Sequence, residues 1–185
     1  MGDVYDKVQK DRSALEKLLD IVPGFRGYQA RNTRRKADQL LRQVLSQKLT
    51  NQRDRLSEAQ KELIDQGRID LVDDVGRAVT QLQTFTDRVR LATYGYAGLL
   101  DAVNINEPEL EQMYNFDLQM FEYVDRLDEA NDRLMEAIES GEGIEPTIRV
   151  IRGICREANE TYDQRSEFAV RSQPGSQLDS ELDSQ

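Results

Sequence analysis

The chain has 185 residues, a formal charge of −10 and only 38% hydrophobic side chains. That is one domain's worth of chain, and Leu, Val, Ile and Phe still make up about a quarter of it, enough to build a core. Histidine is absent and Cys155 is the one cysteine, which excludes histidine-based triads and general bases, His-ligated zinc or di-iron sites, an internal disulfide and a cysteine metal site.

No run approaches the ~20 apolar residues of a membrane span. The start, Met1-Gly2-Asp3-Val4-Tyr5-Asp6, is too polar for a signal peptide, so a reducing cytoplasmic setting is expected. Charge is uneven. Residues 1–61 hold 14 basic and 8 acidic side chains, net +6, and residues 62–185 hold 11 basic and 27 acidic, net −16. An acidic chain is a poor nucleic-acid binder, because neutralising phosphates needs a basic surface. The basic first third is expected to pack against acidic helices.

The pattern along the chain is helical throughout. The first predicted helix, α1, covers 3–21, with Val4, Val8, Leu15, Leu18 and Leu19 inward, and Pro23-Gly24 closes it. The second, α2, covers 33–66, with Ala37, Leu41, Val44, Leu45, Leu49, Leu56, Ala59 and Leu63 inward and Gly67 as its stop. The third, α3, begins at an Asp70 cap and runs to about Val103. Its seam is Val72, Val75, Val79, Leu82, Thr86, Val89, Thr93, Tyr96, Leu100 and Val103, beside a second apolar column, Leu71, Ala78, Phe85, Ala92 and Leu99. A seven-residue repeat implies left-handed supercoiling, and two adjoining columns suit a multi-helix bundle.

The fourth, α4, covers 107–139, with Leu110, Met113, Asp117, Met120, Val124, Leu127, Asn131, Leu134 and Ile138 on its seam. The fifth, α5, covers 146–171, with Ile148, Ile151, Cys155, Ala158, Tyr162, Arg165 and Ala169 on one stripe. Residues 172–185 are Ser-, Gln- and acid-rich and are expected to form a disordered acidic tail. The expected fold is all-α: an antiparallel up-down-up-down bundle of four long helices with coiled-coil-like packing plus a shorter N-terminal helix, as one domain over 1–171.

Turn positions give registers. If α3 and α4 fold back near residue 105, Thr93 faces Asp117 and Val79 faces Asn131. If α4 and α5 fold back near 142, Arg165 lies one turn from Asp117. Thr93, Asp117 and Arg165 then form a buried polar layer, near Tyr96 and Tyr114. A core carboxylate demands partners, so the layer fixes register, as a core Asn does in coiled coils, or lines a small internal ligand site, or Asp117 simply reaches solvent.

A second candidate is the loop Pro23-Gly24-Phe25-Arg26-Gly27-Tyr28 with the helix start after it. Arg26, Arg31, Arg34, Arg35 and Lys36 occur there with no acid among them. Cations at a helix N-terminus oppose the macrodipole, and the free N–H groups favour an anion. The cluster therefore either binds a phosphate, carboxylate or acidic headgroup, or pairs internally with Glu107, Glu109 and Glu111. Gly95 and Gly98, interior to predicted α3, imply a close backbone approach or a kink. Cys155 reads as a small apolar filler. Acidic pairs such as Glu107/Glu111 are half of a carboxylate metal site, and no metal or cofactor is expected.

The segments Pro23-Gly24-Phe25-Arg26-Gly27-Tyr28, Arg34-Arg35-Lys36-Ala37-Asp38 and Thr93-Tyr94-Gly95-Tyr96-Ala97-Gly98 resemble an uncharacterised bacterial all-helical family over about residues 20–130. The resemblance implies a bacterial cytosolic protein and brings no catalytic residues. The sequence reading is a non-enzymatic helical interaction or scaffold protein, with protein partners or self-association, no nucleic acid and no identified small-molecule substrate. The alternative is a binding module for an anionic ligand or acidic membrane headgroups at the basic cluster.

Overall fold

The computed structural model describes residues 13–25, 31–91 and 107–171, with the backbone alone for 31–35. Among the described residues the chain is all-α: α1 Ala14–Ile21, α2 Arg31–Asp65, α3 Ile69–Leu91, α4 Glu107–Ser140 and α5 Ile144–Arg171. The parts of predicted α1 before residue 13 and of predicted α3 after residue 91, the 172–185 tail and Gly95 and Gly98 lie outside the described residues.

Local chemistry sets the helix ends. Ser13 caps α1 in a capping box with Glu16. Gly67 ends α2 with φ +74°: its N–H donates to the Ile64 carbonyl at 3.0 Å and the Arg68 N–H reaches Leu63 at 2.8 Å, a Schellman closure. Asp70, expected as the cap, falls inside the first turn of α3 as its second residue, two past the cap position.

The contacts gather into two compact units. One holds residues 1–41, 94–118 and 165–185, and the other 42–93 and 119–164. In the first, Leu18 and Val22 are fully buried, whereas Leu19, expected inward, is 46% exposed. The Pro23-Gly24 turn, with φ +78° at Gly24, turns Phe25 inward, where its ring stands edge-on to Tyr114 at 6.3 Å. The backbone N–H of Ala14 donates to Glu111 Oε1 at 3.1 Å, which ties α1 to α4.

In the second unit, cross-helix pairs fix which helices are neighbours. Gln60 Nε2 donates to the Val72 carbonyl at 3.1 Å, and Arg53 to Gln83, so α2 and α3 are antiparallel. Arg126 pairs with Glu157 at 2.8 Å and Tyr123 with Thr161 at 2.9 Å, so α4 and α5 are antiparallel too. Gln52 contacts Asn131, and Arg55 pairs with Asp128 at 2.7 Å and with Asp132, which makes α2 and α4 parallel neighbours. Arg152 meets Asp74 at 3.7 Å, and Arg88 meets Asn159 at 2.6 Å and also Asp163, which makes α3 and α5 parallel neighbours.

The ring order is therefore α2–α3–α5–α4, with directions alternating along the chain and α3 diagonal to α4. Asn131 accordingly bonds Gln52 of α2 instead of facing Val79. The physical reason is connection length: three-residue turns at 66–68 and 141–143 force adjacency of the helices they join, whereas residues 92–106 between α3 and α4 lie outside the described residues.

The buried face of α3 is Leu71, Val75, Ala78, Leu82, Phe85 and Val89, a 4-3-4-3-4 seam that takes in the column read as secondary and leaves Val72 and Val79 at its margin. The α4 seam from Met113 to Ile138 and the whole α5 stripe are buried as expected.

Leu82 and Leu127 are both fully buried. Each is expected to cost roughly 2–5 kcal/mol on truncation to Ala, measured by denaturant unfolding. Gly67→Ala is expected to cost about 1–2 kcal/mol, because the alanine must adopt the left-handed backbone of the α2 stop.

Candidate functional site

The predicted polar layer exists in the first unit with a different third member. Arg165 Nε donates to Asp117 Oδ1 at 2.7 Å, and Arg165 Nη2 reaches Asp38 Oδ1 at 3.3 Å. All three side chains are less than a tenth exposed. Thr93 and Tyr96 lie outside the described residues, and Asp38 was missed. A signal for it was present. The positions 38, 41, 45, 49, 52, 56, 59 and 63 keep a 3–4 spacing and are all buried, so Asp38 and Gln52 sit on the α2 seam itself. The reading through Ala37 and Val44 placed the seam beside them.

Two carboxylates bracketing one guanidinium form a network held from three helices, α2, α4 and α5. A buried charge is tolerated only when paired, so the trio specifies which turns of these helices meet.

The second unit has a milder version. Asn131 Nδ2 donates to Gln52 Oε1 at 2.9 Å and to the Gln52 carbonyl at 3.2 Å, and Gln52 Nε2 donates to Asp128 at 2.8 Å. Asn131 Oδ1 is buried without a partner.

The basic cluster is only partly visible. Arg26 lies outside the described residues, as do the side chains of Arg31, Arg34 and Arg35 on the first turns of α2, and Lys36 is exposed. Of the acids expected to neutralise the cluster, Glu111 accepts from the α1 backbone.

A different basic site occurs in the second unit, where α3 and α5 run side by side. A groove of about 590 Å³ is lined by Thr80 and Thr84 of α3 and by Arg149, Arg152, Gly153 and Arg156 of α5. The arginines follow i, i+3, i+7 spacing and so share one helix face. The groove opens there because the α3 wall is threonine and Gly153 has no side chain, with nothing within 4 Å of the place a Cβ would take. Its lining contains no carboxylate. Arg149 and Arg156 are exposed and have no ion pair or hydrogen bond among the described residues. Sequence reading followed the buried α5 stripe and passed over this adjoining column.

Cys155 also borders the groove but is buried. Burial pushes its thiol up from 9.0 to about 12, with a smaller opposing effect from a backbone hydrogen bond. It is therefore held protonated, not poised as a nucleophile. Among the described residues no group of three His, Cys, Asp or Glu side chains could hold a metal ion, and no helix is long and apolar enough to cross a membrane.

Arg165→Leu is expected to destabilise the protein by about 3–5 kcal/mol, because it removes the buried guanidinium that two buried carboxylates share. Combining it with Asp38→Leu and Asp117→Leu is expected to recover most of that loss in the same unfolding assay. For Cys155, labelling by a thiol reagent below pH 9 is expected to follow global unfolding. A folded-state pKa above the unfolded one contributes stability that is complete below about 9 and is lost as pH rises from there toward about 12.

Comparison with protein-family models, with curated proteins and with solved structures returns no match to this chain.

Proposed function

We propose that this chain is a non-enzymatic helical interaction protein whose working surface is the arginine face of α5, and that what it binds is anionic. The observation that carries the reading is the pair Arg149 and Arg156, exposed and unpaired on a carboxylate-free groove in a chain of net charge −10. Elsewhere in the second unit arginines find acids: Arg55 takes Asp128 and Asp132, Arg88 takes Asp163, and Arg126 takes Glu157. Two arginines left out of that pattern have their donors free for an outside acceptor.

The buried polar groups support binding over catalysis. Asp38, Asp117 and Arg165 are engaged with one another, and the buried thiol is held protonated.

The test is affinity capture by the full-length chain from a lysate of its own host, wild type against the Arg149→Gln/Arg156→Gln variant, with mass-spectrometric identification of what is bound. An acidic binder retained at low salt, released by about 0.5 M salt and recovered about tenfold less by the variant is the expected result. Equal recovery by both chains overturns the reading. The variant should melt within a few degrees of wild type, since exposed substitutions change stability by only about 0.5 kcal/mol.

A further inference from the structure

We infer that the α3–α5 groove is a binding site for a small ligand carrying two or more linked phosphoryl groups. This rests on the reading of the arginine face as the working surface and names the chemistry it takes.

The spacing of the cations is the first argument. Arg149 and Arg156 are seven residues apart on one helix face, about 10 Å along the axis at the ordinary helical rise. Arg152 stands between them. A single carboxylate or orthophosphate can engage one end of such a row. A chain of two or three phosphoryl groups can span it and offer oxygens to each guanidinium, whose planar fork matches phosphate oxygens in pairs.

The second argument is an unused donor. The Nε–H of Arg152 is buried and has no hydrogen-bond partner, while its Nη1 reaches Asp74 only at 3.7 Å. Asp74 is shared with Arg77, also at 3.7 Å. Both separations exceed hydrogen-bond length, so Asp74 holds neither arginine in the short geometry of a committed pair. The Arg152 side chain, about a third exposed, therefore has no short bond that an entering anion would have to displace.

The third argument is the shape and chemistry of the walls. The groove volume, about 590 Å³, lies in the range of small-molecule sites. Thr80 and Thr84 line its α3 side; their hydroxyls donate to the carbonyls of Gly76 at 3.0 Å and Thr80 at 2.9 Å, which leaves oxygen lone pairs and not free protons toward a ligand. The attraction therefore comes from α5, and Gly153 gives the ligand access to the helix surface between the arginines. A neighbouring groove of about 620 Å³ shares Thr80, Gln81 and Arg152, but its lining adds Asp73 beside Arg77, so the carboxylate-free surface is confined to the central row.

Inorganic tripolyphosphate and a nucleoside triphosphate carry the same phosphate chemistry and are separated by experiment. Isothermal titration calorimetry on the full-length protein at low salt, with inorganic tripolyphosphate, ATP and orthophosphate as probes, is the direct test. Tripolyphosphate is expected to bind at least about tenfold more tightly than orthophosphate, one extra charge-assisted contact being worth about that factor. ATP binding equal to tripolyphosphate identifies the phosphate chain as the whole recognition element. Tighter ATP binding identifies a nucleotide as the source. Either supports the site.

Arg149→Gln/Arg156→Gln is expected to weaken tripolyphosphate about a hundredfold, by about tenfold for each guanidinium. Gly153→Glu, which sets a carboxylate between the arginines, is expected to abolish binding while circular dichroism and melting show an intact helical fold. No binding by either polyphosphate overturns the inference, and so does binding that the groove variants leave unchanged. So, too, does binding lost only in an Arg31→Gln/Arg34→Gln/Arg35→Gln variant, which would move the anion to the start of α2. If the polyphosphates fail while the arginine pair still governs partner capture, the phosphate assignment falls and the interaction reading stands.

Discussion

A charge moved from water into a packed interior must meet an opposite charge there, and in the first unit Asp38, Asp117 and Arg165 satisfy that requirement together. Apolar side chains tolerate sliding. A leucine shifted by a turn still finds apolar neighbours, so a seam of leucines specifies that helices pack more strongly than where they pack. A guanidinium held at 2.7 Å by one carboxylate and at 3.3 Å by another has no comparable alternative one turn away. The trio sets the register of α2, α4 and α5 where they meet. The aromatic contacts nearby in sequence, Phe25 on Tyr114 and Phe116 on Phe168 at 5.9 Å, fill the volume around that fixed register.

In the second unit the same problem is solved with neutral amides inside and ion pairs outside. Gln52 and Asn131 bond across α2 and α4, fourteen residues along each helix from Asp38 and Asp117. Two heptads separate the polar positions on both helices, which is what a shared 3.5-residue period requires. The ion pairs on the rim then choose partners. Parallel neighbours α2/α4 and α3/α5 are each marked by an arginine that reaches two polar side chains of the adjoining helix, Arg55 in one case and Arg88 in the other. Exposed pairs of this kind contribute little stability, about 0–1 kcal/mol each. Their weight is in selecting one arrangement among several that bury similar area.

Much of the fold was legible in the sequence. The α4 and α5 seams are buried as read, and the pairs 117/165, 123/161 and 126/157 match the register set by a turn near residue 142. Tight turns transmit register because a three-residue link leaves no freedom. The α3–α4 relation was not legible. Periodicity shows which face of a helix is apolar, not which of three other helices covers it. The polar layer was half legible: Asp117 and Arg165 interrupt clean apolar stripes, whereas Asp38 adjoins Ala37, through which the α2 seam was read. The groove was illegible because it depends on what stands opposite Arg149 and Arg156, and sequence alone cannot show that Thr80 and Thr84 stand there instead of acids.

A cationic groove on a chain of charge −10 presents no physical contradiction, because the two charges act over different distances. At physiological ionic strength the screening length is about 8 Å, so a ligand in the groove would respond to the three arginines beside it and to Asp74, 3.7 Å from Arg152, and only weakly to acids farther away. The distant acids act on approach. They repel anions from the surface at large, so a singly charged anion gains little anywhere except where several guanidinium groups lie within one screening length. On the proposed reading, the arginine row would favour a compact, highly charged anion over a weakly charged one. The groove's lining carries no carboxylate, and one acid there would offset a third of the charge of its three arginines. The same condition explains why the row lies against the threonine face of α3. Thr80 and Thr84 provide a polar wall without charge, bonded to their own helix, and leave Arg149 and Arg156 without an ion pair among the described residues.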